Sequence, residues 1–209
     1  MNETRKPESC REDTQSKKRN ACCSPGDVSL EHSNSSPCYA AETEPNSLIG
    51  AGAKKKYLNI DLLYLDLDVC ERCIDTESVL SEAIQEVSRV LETTGVEVVL
   101  NKIHVTSEEQ AVDLGFLVSP TIRLNGRDIQ MHFRESLCDS CATLCDCEGG
   151  VSCREWEYQG QWYNAPPKGL IVESILREVY GGDGTERVEP LKLEQTPENL
   201  KRFFSSLSK

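Results

Sequence analysis

Two short stretches carry residue types that do chemistry at a useful spacing. Cys70-Glu71-Arg72-Cys73 sets two thiols three positions apart, and Ser119-Pro120-Thr121-Ile122 stands some fifty residues downstream. A thiolate is the working form of a redox cysteine. If Cys70 lies where a strand hands over to a helix, the partial positive end of the helix favours its anion. Arg72 adds positive charge nearby, and Asp66 and Asp68 oppose it. Cys73 then sits about one turn inside the helix, where it can resolve a mixed disulfide.

The elements that must position these residues are legible around them. YLNIDLLYLDLDV (57–69) has near-alternating apolar residues and reads as a strand partly buried on both faces. Val79, Leu80, Ala83, Ile84, Val87, Val90 and Leu91 recur at helical spacing, and Gly95 ends that helix. VEVVLNKIHV (96–105) is β-branched and strand-like. Thr106 followed by Glu109 reads as the capping box of a short helix ending near Gly115. TIRL (121–124) and RDIQM (127–131) flank Asn125-Gly126, a pair that favours a type I′ hairpin turn. Residues 132–167 read as irregular, and Leu170, Ile171, Ser174, Ile175 and Val179 form a last core helix stopped by Gly181-Gly182. The β-α-β start implies a parallel pair. The expected fold class is therefore α/β, a roughly four-stranded mixed sheet flanked by helices, carrying a Cys-rich irregular insert.

This order, with CERC after the first strand and Ser119-Pro120 before the third, resembles the thioredoxin-like superfamily over residues 57 to 181. Closest is an uncharacterised prokaryotic thioredoxin-like family known as a domain of unknown function. Its members share a CxRC motif, a Ser-Pro-x-Ile strand, a downstream Cys-x-x-Cys and a Cys-Arg-x-Trp. Here these are Cys70-Glu71-Arg72-Cys73, Ser119-Pro120-Thr121-Ile122, Cys138-Asp139-Ser140-Cys141 and Cys153-Arg154-Glu155-Trp156. The resemblance implies a thiol–disulfide oxidoreductase in which Cys70 attacks and Cys73 resolves. It also implies a cis Pro120 that packs on the dithiol, and a substrate groove at Ser119, Thr121 and Arg72. Its partners would be a protein or small-molecule disulfide and an electron donor. The plain alternative for Pro120 is a trans proline at the start of an edge strand. No aromatic residue precedes Cys70, which narrows the range of partners.

The insert holds SLCDSCATLCDCEGGVSC, with Cys138, Cys141, Cys145, Cys147 and Cys153. In the expected topology it follows the hairpin to the same sheet edge as CERC, so it lies beside the dithiol. Three readings stay open. Cys138 and Cys141 with two of the other three could form a four-thiolate zinc site. The same thiolates could hold an iron–sulfur cluster, or they could relay electrons without metal. A site shared between Cys70, Cys73, Cys138 and Cys141 would turn the dithiol into ligands and remove the catalysis. The alternative function is a protein that binds or delivers a metal or metalloid through its thiolates without redox turnover. A zinc-stabilised loop outside the chemistry is the plainest alternative. Trp156, Tyr158, Trp162 and Tyr163 read as one packed cluster over the insert, and His104 and His132 as lesser ligand candidates.

Composition bounds the remainder. The 209 residues carry a formal charge of −12, which disfavours nucleic-acid or anionic-membrane partners. Hydrophobic residues make up 38%, and the mean hydropathy is −0.46. Part of the chain therefore lies outside any core. Residues 1–53 read as a disordered arm bearing Cys10, Cys22, Cys23 and Cys38, and residues 54–182 as the domain. Residues 183–209 read as a polar tail closing in a short amphipathic helix (Leu200, Phe203, Phe204, Leu207) that docks on its own domain. The N-terminus lacks an apolar signal region, so a cytoplasmic location is expected. There most of the eleven cysteines would stay reduced.

Overall fold

A nine-residue strand opens the described part of the chain. β1 (Lys56–Tyr64) turns Leu58, Ile60 and Leu62 to one side and Leu63 to the other, all of them buried. In this computed structural model, which describes residues 55–147, 150–182 and 186–207, β1 lies near the centre of a mixed sheet. It runs parallel to β2 (Val96–His104) and antiparallel to β3 (Thr121–Leu124), and β3 pairs with β4 (Arg127–Asp128). The order is β2-β1-β3-β4. α1 (Glu71–Thr93) and α4 (Lys168–Tyr180) pack together over one face. Leu80, Ala83, Val87, Leu91, Ile171 and Ile175 close the core with Leu58, Ile60, Leu62 and Ile122. The fold is α/β with a four-stranded mixed sheet flanked by helices, consistent with a thioredoxin-like fold.

α1 starts at Glu71, eight residues before the apolar period begins. Its first turns bury only Cys73 and Thr76, and their spacing to Leu80 continues the same face. β1 ends at Tyr64 rather than Val69 because Asp66 pulls the chain out of the strand. Its Oδ1 accepts from the backbone N–H of Asp68, Val69 and Cys70 at 3.0, 2.6 and 3.1 Å. The cap of α2 (Glu108–Asp113) is shifted by one residue from the expected box. Ser107 accepts from Gln110 N, and Gln110 Oε1 accepts from Thr106 N. Asn125 and Gly126 both have positive φ, +50° and +87°, as a type I′ turn requires. A Cβ at Gly126 would lie 1.8 Å from the Val188 carbonyl oxygen, so only glycine fits beneath the strap that crosses the turn.

Within residues 132–167, the described stretches 134–145 and 151–163 form regular elements, which corrects the expectation of an irregular insert. β5 (Arg134–Cys138), β6 (Val151–Tyr158) and β7 (Gln161–Tyr163) form a second, three-stranded antiparallel sheet, and α3 (Asp139–Cys145) bridges β5 and β6. Its cysteines masked the strand period, because free Cys packs as a small apolar residue. Nor do the four aromatics form one cluster. Trp156 is fully buried in the main core, while Trp162 packs on His132 and Arg134 and Tyr163 is exposed.

α5 (Glu198–Leu207) docks on the face opposite α1 and α4. Leu200, Phe203 and Phe204 are buried there, and Leu207 is exposed. Asn199 exchanges two hydrogen bonds with the backbone of Ser152, at 2.8 and 2.5 Å. The expected arm, with Cys10, Cys22, Cys23 and Cys38, lies outside the described residues. Among the described residues, no helix is long and apolar enough to cross a membrane.

Candidate metal centre

Four thiols are placed at or near the ends of elements. Cys70 is the N-cap of α1 and is held by the Asp66 loop. Cys138 ends β5 and caps α3, and Cys141 lies one turn into α3. Cys153 sits on β6 opposite Ser136. The β5–α3–β6 unit thus folds three sulfurs back onto the helix start that carries the fourth. Cys141 Sγ is 3.3 Å from both Cys70 Sγ and Cys153 Sγ, and Cys70 Sγ is 4.0 Å from Cys138 Sγ. All four sulfurs lie within 4.8 Å of one another. Cys70, Cys141 and Cys153 are 0% exposed and Cys138 4%.

This quartet can hold a metal ion. Zinc–thiolate bonds of about 2.3 Å in a tetrahedron put the sulfurs roughly 3.8 Å apart, close to the spacings seen. An iron–sulfur cluster interposes several irons and sulfides between its thiolates and spreads them further.

The four-thiol group cuts across the expected groupings. It takes Cys70 from the CERC motif and Cys138, Cys141 and Cys153 from the insert, and it leaves out Cys73. Cys145 and Cys147 are disulfide-bonded to each other. All seven described cysteines nevertheless share one buried cluster, sealed by Leu200, Phe203 and Phe204 of α5. His104 stacks on Tyr64 and bonds the Leu65 carbonyl, and neither it nor His132 belongs to the quartet.

The electrostatics fit thiols that share protons until a cation replaces them. Without metal, hydrogen bonds with Cys138 and Cys141 push the Cys70 thiol up to about 12, and burial adds to this. The Cys153 thiol is also pushed up, by Cys138, Cys141 and Cys70 and by burial. The Cys138 thiol is driven down by its contacts with Cys141, Cys153 and Cys70. Cys73 is raised by its contact with Cys70 and by burial.

The residues expected to face a substrate are turned inward. The Ser119–Pro120 peptide is cis. Ser119 is fully buried, and its Oγ accepts from Leu65 N and lies 3.3 Å from Cys73 Sγ. Its carbonyl accepts from Arg154 N at 2.8 Å, so β6 of the chain itself fills the edge that was expected to stay free for a substrate. Thr121 Oγ1 donates to Val118 O. Arg72 reaches across to the insert. Its guanidinium donates to Cys153 O at 3.2 Å, Leu137 O at 3.0 Å and Ser136 Oγ at 2.9 Å.

Two contributors escaped the sequence reading. Asp66 appeared there as an opposing charge, yet it builds the loop that presents Cys70. Arg154 appeared only as part of a motif. It is 0% exposed, forms two hydrogen bonds with Asp128 at 3.0 and 2.6 Å, and lies between the rings of Phe133 and Trp156. No local pattern marks a buried arginine whose partner is 26 residues away.

Fold and site together define an α/β protein with a buried four-cysteine group capable of holding a metal. The chain belongs to the family described as Domain of unknown function (DUF2703), whose model matches residues 58–175. No curated protein and no solved structure matches the chain at a significant level.

Proposed function

We propose that this protein binds one soft divalent cation, zinc foremost, through the thiolates of Cys70, Cys138, Cys141 and Cys153. The observation that carries this reading is the convergence of four buried sulfurs within 4.8 Å, at the spacing one tetrahedral ion needs. The ion would join α1 of the main domain to the β5–α3–β6 unit, so its binding energy would become folding energy for that unit. Metal counting on the purified, reduced protein tests this. One ion per chain is expected, retained by Cys73→Ser and by the double variant Cys145→Ser/Cys147→Ser, and lost from Cys141→Ser. Purified protein without bound metal that also takes up none on reconstitution would refute it, as would full retention by Cys141→Ser.

A second reading is thiol–disulfide exchange by Cys70 and Cys73, with a disulfide substrate and an external electron donor. The contact of Cys73 with Ser119, beside Pro120, supports it. Against it stand the burial of Cys70 and the occupation of the Ser119 carbonyl by β6. Reduction of a model disulfide by metal-free protein, abolished by Cys70→Ser, would favour this reading over the first.

A further inference from the structure

Cys73 is the one free thiol, among the described residues, that the quartet does not use. It is fully buried and sits three residues after Cys70, with its N–H donating to the Cys70 carbonyl at 3.0 Å. Cys70 caps α1 and Cys73 lies in its first turn, with the two thiols in contact. Both enter the same buried cluster, which already holds the Cys145–Cys147 disulfide. A buried cysteine is often only a small apolar filler. Here it stands beside a sulfur that serves as a ligand, at the Cys-x-x-Cys spacing at which a disulfide closes readily.

Resting on the metal-site reading above, we propose that Cys70 and Cys73 are a site of oxidative modification that empties the metal centre. Oxidation joins the two sulfurs and removes one of the four ligands. The step balances with hydrogen peroxide as the oxidant. The Cys70 thiolate and the Cys73 thiol each give up one electron. The Cys70–metal bond breaks, the Sγ–Sγ bond forms and the O–O bond breaks. The Cys73 proton and one proton from solvent go with the peroxide into two waters. Three thiolates remain, and the ion leaves. A small-molecule dithiol reverses the modification and restores the fourth ligand. Because both sulfurs are buried, a small oxidant reaches them sooner than a bulky disulfide does.

The test uses the full chain loaded with zinc, as wild type and as Cys73→Ser and Cys73→Ala. Peroxide is added, zinc release is read with a chromophoric chelator, and disulfides are mapped by peptide mass spectrometry. Wild type is expected to release one zinc for each Cys70–Cys73 disulfide formed, and to rebind it after dithiol treatment. Both variants are expected to keep their zinc over the time in which wild type empties. Two substitutions of different polarity separate loss of the thiol from a packing defect. The inference is overturned if the variants release zinc as fast as wild type, or if the released protein carries a different disulfide. Protein that never takes up zinc overturns this inference together with the metal-site reading. Zinc that is held and then released alike by all three overturns this inference alone.

Discussion

Replacing Asp128 with asparagine leaves Arg154 buried without its counter-charge. The Arg154 side chain is 0% exposed and that of Asp128 is 9% exposed, so water cannot take over the lost role. Breaking a buried ion pair by removing one partner costs about 3–5 kcal/mol. Two ring faces, 4.6 and 4.7 Å from the guanidinium carbon, remain to stabilise the cation. Each is worth about 0.5–2 kcal/mol, which moves the expected loss to the lower end. Asparagine keeps the acceptor for Gln130 N but sets an NH2 group where Oδ2 accepts from Arg154, so the charge and one hydrogen bond are lost together. The expected loss is about 3 kcal/mol, or roughly 6–12 °C in Tm for a domain of this size. Urea denaturation followed by circular dichroism measures it, with free metal held constant because bound metal adds stability by mass action. The double variant Asp128→Leu/Arg154→Met removes both charges and is expected to be near neutral. A loss under about 1 kcal/mol for Asp128→Asn, or a double variant as unstable as the single one, refutes the reasoning.

Three further outcomes follow from the same contacts. Arg72→Gln loses the guanidinium bonds to the strands that carry Cys138 and Cys153, and metal affinity measured by chelator competition is expected to fall about 10–100-fold, as for other groups that orient ligands. In the metal-free protein, Cys70, Cys73 and Cys153 titrate above the ordinary thiol value of 9.0, so the folded state binds more protons than the unfolded state once pH passes 9.0. Their stabilising contribution is full below 9.0 and is lost as pH rises towards about 12, while the lowered Cys138 adds a constant amount in that window. The urea midpoint of metal-free protein should therefore drop from pH 8 to pH 10, and a rise would contradict the assignment. Phe203→Ala removes a side chain only 3% exposed, at a cost of about 3–5 kcal/mol to the docking of α5. Trypsin is then expected to cut at Lys201 and Arg202 before the main domain melts, and unchanged cleavage would count against α5 as the cover of the thiol cluster.

Much of the fold was legible because its signals are local. The alternation of Leu58, Ile60 and Leu62, the period from Leu80 to Leu91 and the Asn125-Gly126 turn each decide an element without distant help. The second sheet was not legible. Its strands bury Cys138, Val151, Cys153 and Trp156, and cysteine at such spacing reads equally as ligand or filler. At the site, the nearness of CERC to the insert followed from topology alone. Membership of the quartet did not, because it depends on how α3 folds back between β5 and β6. Ser119 misled for the same reason. Its carbonyl looks free in sequence, and only the tertiary fold delivers Arg154 N to it.

X-ray absorption at the metal edge of the purified protein tests the central claim most directly. A single shell of four sulfurs at about 2.3 Å, with no metal–metal scattering, is the result expected for one ion held by Cys70, Cys138, Cys141 and Cys153. A shell with nitrogen or oxygen ligands, or a metal–metal distance characteristic of a cluster, would contradict it.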